Sequence, residues 1–262
     1  MWVASWIGGN ITRQRGIILA ISLWLWLCGE AISQPAFKQR QLEYPRVRAA
    51  VIEKKPLLKT RYSEQGLAYP PANIFIRIFK REKQVEVWAG SGQNRYRLAQ
   101  TYDICSSSGE LGPKRARGDL QVPEGFYHIS HFNPASSFHL SLGLSYPNRS
   151  DLILKKGRDP GGSIYIHGDC VTIGCVPITD DRIKELYVQA VEARAAGQAR
   201  IPVHVFPARL DSLNFAALKR EYAGDAGLIR FWENLKTGYD RFQSSGRIPM
   251  IAIDNNGRYL FE

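Results

Sequence analysis

His167-Gly168-Asp169-Cys170-Val171-Thr172-Ile173-Gly174-Cys175 holds more potential chemistry than any other stretch of this 262-residue chain. It sets an imidazole eight residues ahead of a thiol, with Gly174 directly before that thiol. A thiol attacks carbonyl carbon well only when a base takes its proton and donors await the oxyanion. His167 has the chemistry of that base. Gly174 permits close backbone approach, so the Cys175 amide can face the developing charge. These residues point to acyl transfer with Cys175 as nucleophile. Cys175 as a small buried hydrophobe and His167 as a satisfied core histidine are the plainer alternatives. Zinc ligation by His167, Cys170 and Cys175 fits poorly, because the spacing is unusual for zinc and a fourth ligand is missing. Cys170 either packs in the core or pairs with Cys105.

Residues 1–33 read as an export signal: Arg13 and Arg15 precede an apolar run over 17–27, and Ala31-Ile32-Ser33 offers small residues for cleavage. The run is shorter than the roughly 20 apolar residues of a membrane span, although an uncleaved anchor is the alternative. Loss of the leader removes Arg13, Arg15 and Glu30, so the formal charge of +11 falls by one. An exported basic protein suits a polyanionic neighbourhood such as the periplasm or cell wall. No nucleic-acid-binding motif is evident. Three cysteines lie beyond the leader, an odd number that leaves one thiol unpaired within the chain.

The elements that must position the stretch follow from periodicity. Residues 34–72 are a Pro-interrupted lead-in with helical character near 46–53. Short strands are predicted from residue 73 onward, at 74–79, 85–87, 96–104, 126–130, 139–144, 164–167 and 202–206. Residues 106–125 are Gly- and Pro-rich loop, and no Gly-Lys-Ser/Thr makes it a phosphate loop. Its Lys114, Arg115 and Arg117 read as a solvated charge cluster, or as partners for substrate carboxylates. A helix opens at Asp180-Asp181, buries Ile183, Leu186, Tyr187, Ala190 and Val191, and ends at Gly197. The tail supplies a second helix with Leu228, Trp232, Leu235, Tyr239 and Phe242 in one stripe. A hairpin with a type I′ turn is predicted at Asn256-Gly257.

With these motifs in order, the chain resembles the L,D-transpeptidase catalytic domain, or YkuD domain, of bacterial cell-wall enzymes. The resemblance spans residues 73–208. Besides the cysteine stretch it rests on Ser108-Gly109-Glu110-Leu111-Gly112-Pro113-Lys114, Gly118-Asp119 and Pro123-Glu124-Gly125-Phe126-Tyr127. Phe132-Asn133-Pro134 and Ser141-Leu142-Gly143-Leu144-Ser145-Tyr146-Pro147-Asn148 follow in turn.

The resemblance implies a mainly β, sandwich-like catalytic domain with α-helical additions. A helical extension at 209–262, ending in the hairpin, would pack on it. It implies catalytic roles for Cys175 and His167, a Gly168 carbonyl orienting the imidazole, and an oxyanion hole from the Gly174 and Cys175 amides. Lys114, His139, Asp169 and Thr172 are expected to meet substrate; no metal or cofactor is implied. The implied activity is L,D-transpeptidation of peptidoglycan stem peptides through a Cys175 thioester. Ile173 stands where most members carry a second histidine, Val176-Pro177 follows the cysteine, and the His167-to-Cys175 spacing is short. These departures resemble the murein L,D-transpeptidase or YafK-like branch, where some members cut rather than join. The alternatives are therefore an L,D-endopeptidase acting on crosslinks or on a wall-attached lipoprotein, and a non-catalytic wall-binding protein.

Overall fold

A computed structural model describes residues 33–90, 95–157 and 159–262. The leader expected at 1–33 therefore lies outside the described residues, apart from its last position. The lead-in is more ordered than its proline content suggests. It forms α1 (Ser33–Leu42) and α2 (Pro45–Glu64). Pro45 occupies the first turn of α2, where its missing amide costs nothing. α2 buries Val47, Ala50, Leu58 and Tyr62.

The strands β1 (Ile74–Phe79), β2 (Gln84–Gly90), β3 (Tyr96–Asp103), β4 (Gly125–Asn133) and β5 (Ser141–Leu144) come next. They are followed by α3 (Arg149–Leu154), β6 (Tyr165–His167), β7 (Val176–Pro177), α4 (Asp180–Ala195) and β8 (Pro202–Phe206). The eight strands form one mixed sheet in the order β3-β2-β1-β8-β4-β5-β6-β7, with β1–β8 and β6–β7 parallel. The tail contributes α5 (Ser212–Glu221), α6 (Ala226–Ser245) and the hairpin β9 (Ile251–Ile253) and β10 (Tyr259–Phe261). The β core, its helical additions and the helical C-terminal extension are thus all present. Among the described residues, no helix is long and apolar enough to cross a membrane.

Helices cover both faces of the sheet, and β1 shows how the sequence divides them. Ile74, Ile76 and Ile78 point into a core shared with Ile183, Leu186, Val188 and Val191 of α4. Phe75 and Phe79 point the other way, where Phe75 meets Phe242 of α6 and Phe79 meets Phe206. All six β1 residues are buried, as a central strand covered on both sides requires. Each large aliphatic side chain buried here stabilises the fold by about 1.5–3 kcal/mol. Arg77 shares the aromatic face; its guanidinium lies 4.6 Å from the Tyr239 ring centre and 5.0 Å from that of Phe242.

The lead-in helices attach through charged and polar bridges to α4. Lys38 pairs with Glu192 at 2.6 Å, Arg61 with Glu185 at 2.7 Å, and the Tyr62 hydroxyl donates to Gln189 at 2.7 Å. The terminal hairpin differs from the predicted type I′ turn. The Asp254 amide donates to Arg258 and the Gly257 amide to Asp254, closing a three-residue loop. Only Gly257 within that loop has positive φ, at 80°, which is the three-residue hairpin geometry with a left-handed glycine.

Candidate functional site

Residues 168–175 form the loop between β6 and β7. His167 ends β6 and pairs with Pro177 across the parallel ladder, so the loop returns the chain beside its own start. Two devices hold it. Cys170 is bridged to Cys105, just after β3, with Cα atoms 5.5 Å apart. The Asp169 amide donates to Asp180 Oδ1 at 2.8 Å, tying the loop to the first turn of α4. Asp180 therefore has a second role besides complementing the helix dipole.

His167 is buried, with its ring 4.6 Å from that of Phe138. Nδ1 donates to the Gly168 carbonyl at 2.5 Å. Burial in apolar surroundings pushes its pKa below the ordinary 6.5, against the opposing pull of that carbonyl. Cys175 is the free thiol among the described cysteines. Its sulfur donates to the Ser163 carbonyl at 3.6 Å. Desolvation raises its pKa above the ordinary 9.0, more than the Tyr165 backbone and the Lys114 charge lower it. Among the described residues, no hydrogen bond joins His167 and Cys175.

Thr172 governs the backbone of the loop. Its Oγ1 accepts from the Cys175 amide at 2.8 Å and from the Gly174 amide at 3.2 Å, while donating to the Cys175 carbonyl at 2.9 Å. Gly174 has φ of 131°, and a Cβ there would lie 3.1 Å from the Gln121 carbonyl. Glycine is thus required by conformation and by space. The thiol borders a cavity of about 310 Å³ also lined by Ser106, Ser107, Gly109, Val122 and Tyr222. His167 is not in that lining.

The remaining candidates separate. Lys114 is buried, pairs with Asp119 at 2.5 Å and donates to the Ala116 carbonyl. Arg115 pairs with Asp151 at 3.1 Å. Arg117 alone of the three is well exposed, so the basic loop is not the solvated cluster that its sequence suggested. His139 adopts φ of 67° and stands 3.9 Å from Asp180. Asp169 accepts from the Cys170 amide at 2.6 Å. Ser163 was missed by sequence reasoning, and no pattern around it signals contact with Cys175. Among the described residues, no group of three or more His, Cys, Asp or Glu side chains is placed to hold a metal.

This geometry corrects the expected enzyme. A transferase working through a Cys175 thioester needs a base in reach of the thiol and free oxyanion donors. The disulfide removes Cys105 and Cys170 from thiol chemistry. Cys175 rests on the Ser163 carbonyl with its pKa raised by burial, and Thr172 occupies both amides assigned to the oxyanion hole.

The family model for the L,D-transpeptidase catalytic domain, YkuD, matches residues 73–205. YafK of Escherichia coli strain K12 is 34% identical over 201 residues, covering 76% of each chain. Looser likenesses exist among solved structures. The helical cell shape determining protein Pgp2 of Campylobacter jejuni has a TM-score of 0.42 at 17% identity, over 70% of this chain and 73% of that one. Bd1075 of Bdellovibrio bacteriovorus has 0.39 at 18%, over 70% and 77%. By the family model and the YafK match, the chain belongs to the YkuD, L,D-transpeptidase catalytic-domain family, in its YafK-like branch.

Proposed function

We propose that this protein is a non-catalytic peptidoglycan-binding protein of the cell envelope, which receives a stem peptide in the cavity beside Cys175. Family membership associates the chain with peptidoglycan and places it outside the cytoplasm, where its disulfide is stable. The single observation that carries the binding reading is the Thr172 hydroxyl seated on the Gly174 and Cys175 amides. It leaves the cavity beside Cys175 without free oxyanion donors. Val171 and Ile173 are 51% and 80% exposed on the same loop, an apolar rim suited to aliphatic peptide side chains. The net positive charge favours approach to a carboxylate-rich wall in the periplasm. A lipoprotein joined to that wall is the further partner of this reading.

Titration calorimetry with defined muropeptides, followed by mass spectrometry of the mixture, tests it. Saturable binding with every muropeptide recovered intact is the expected result. Cleaved or crosslinked products, or a thioester adduct that disappears in Cys175→Ala, would overturn the reading.

A further inference from the structure

A second cleft, of about 950 Å³, opens between the loop at Gly112-Pro113 and the C-terminal extension. Its charge comes from four separate segments. Arg115 lies in the basic loop, Lys156 follows α3, Arg230 is on α6 and Arg258 follows the hairpin turn. Arg115 is already paired with Asp151 and rests 5.0 Å from the centre of the Phe231 ring. Lys156, Arg230 and Arg258 are exposed, and their side chains have no ion-pair partner among the described residues.

Two acids share the cleft, and both are committed elsewhere. Asp225 accepts from the Leu228 amide at 2.8 Å, and Glu233 stands 3.6 Å from Lys219. Leu228 and Phe231 line the same cleft as half-buried apolar side chains, Phe231 with Arg115 over one ring face. Three cations without an ion-pair partner among the described residues line one cleft from separate parts of the chain, an excess of positive charge that favours a ligand of opposite charge. A mixed lining of cations and apolar groups suits carboxylates spaced along aliphatic arms better than bare phosphate. Arginine forks match carboxylates in a bidentate way.

We infer that this cleft is a binding site for an acidic, partly aliphatic peptide carrying at least two carboxylates. It is distinct from the cavity at Cys175 and goes beyond the stem-peptide reading of that cavity. The ligand lies along α6, with its carboxylates on Arg230, Arg258 and Lys156 and its aliphatic portion on Leu228 and Phe231.

The test is fluorescence anisotropy on the full chain with a labelled Glu-Leu-Glu-Ala-Glu peptide. Its Gln-for-Glu counterpart and inorganic tripolyphosphate serve as comparison probes. Binding of the acidic peptide is expected to weaken tenfold or more in the Arg230→Glu/Arg258→Glu double variant. It is also expected to weaken as salt screens the charges, and to be unchanged in Cys175→Ala. Both arginines are exposed, so circular dichroism melting is expected to match the parent chain. Equal binding of the Gln peptide, tripolyphosphate as the better ligand, or full binding by the folded double variant would each overturn the inference. Muropeptide binding that is lost in a Cys175-cavity variant concerns the other site, so the two readings fail independently.

Discussion

The two clefts are neighbours, both bordered by Leu111, yet they are built on opposite plans. At Cys175 the loop amides and the sulfur are already held internally: Thr172 serves two amides, the Gly168 carbonyl serves His167 Nδ1, and the Ser163 carbonyl serves the sulfur. Along α6 the backbone is closed off, but Arg230 on it and Lys156 and Arg258 in the same cleft carry charge without ion-pair partners among the described residues. A ligand that reaches the Gly174 and Cys175 amides displaces internal hydrogen bonds, and each net gain is small because one bond replaces another. A ligand at the second cleft meets an excess of positive charge. A family motif thus marks where the loop is held in place, whereas unneutralised side chains mark where new binding free energy is to be gained.

The largest effect should come from the residue that joins both plans. Glu124 is fully buried, accepts from the Gly112 amide and Trp232 Nε1 at 2.7 Å each, and pairs with Lys80 at 3.0 Å. Glu124→Ala leaves the Lys80 ammonium buried without its counter-charge. We expect a loss of about 3–5 kcal/mol in urea unfolding, with both clefts losing ligand. A loss under about 1 kcal/mol would mean that α6 is anchored mainly by its apolar stripe.

Removing the disulfide should separate the two sites. It closes a loop of 65 residues, and Cys105→Ala/Cys170→Ala is expected to lower stability by about 2–4 kcal/mol. Hydrogen exchange should accelerate over residues 168–175 while the acidic peptide still binds beside α6. Equal loss at both clefts would show that they open as one unit. Thr172→Val acts more locally. It strips an acceptor from two amides at about 1 kcal/mol, and it also removes the internal competitor of a ligand carbonyl. Muropeptide affinity measured by calorimetry should rise by roughly fivefold, the equivalent of about 1 kcal/mol. Unchanged affinity would mean that ligand never reaches those amides.

How far the sequence carried these conclusions differs by region. The strands of the core were legible because Ile74, Ile76 and Ile78 alternate with Phe75 and Phe79, and both sets are buried. The stripe on α6 was legible for the same reason, with Trp232, Leu235, Tyr239 and Phe242 all buried. The lead-in was under-read because Pro35, Pro45 and Pro56 suggested loop. Pro45 instead starts α2, and Pro56 lies inside it while the flanking residues stay helical. The turn at Asn256-Gly257 was misjudged because the dipeptide fits two hairpin types that differ in loop length, which only the register of Tyr259 against Ile253 decides. At the site, residue types revealed which groups are chemically able. They could not reveal whether the imidazole meets the thiol or whether a threonine three residues away takes the amides. The basic cleft was least legible, since Arg115, Lys156, Arg230 and Arg258 meet only through tertiary packing.

The finest distinction concerns the proton on Cys175, and a pH series of iodoacetamide labelling, read by peptide mapping at that residue, measures it. Alkylation consumes thiolate, so its rate follows the deprotonated fraction. Burial holds the thiol above its ordinary 9.0, and burial holds His167 below 6.5. The rate is therefore expected to rise about tenfold per pH unit between pH 6.5 and 9, without a plateau. Cys105 and Cys170 are bridged and do not compete for label. An imidazolium–thiolate pair would behave otherwise, because two coupled groups titrate in two macroscopic steps and the thiolate persists between them. The rate would then level off on the acid side of neutrality and fall in His167→Ala. That plateau would return Cys175 to the role of a poised nucleophile. A steady climb through pH 9, insensitive to His167→Ala, would mean that the loop keeps its thiol for shape and contact.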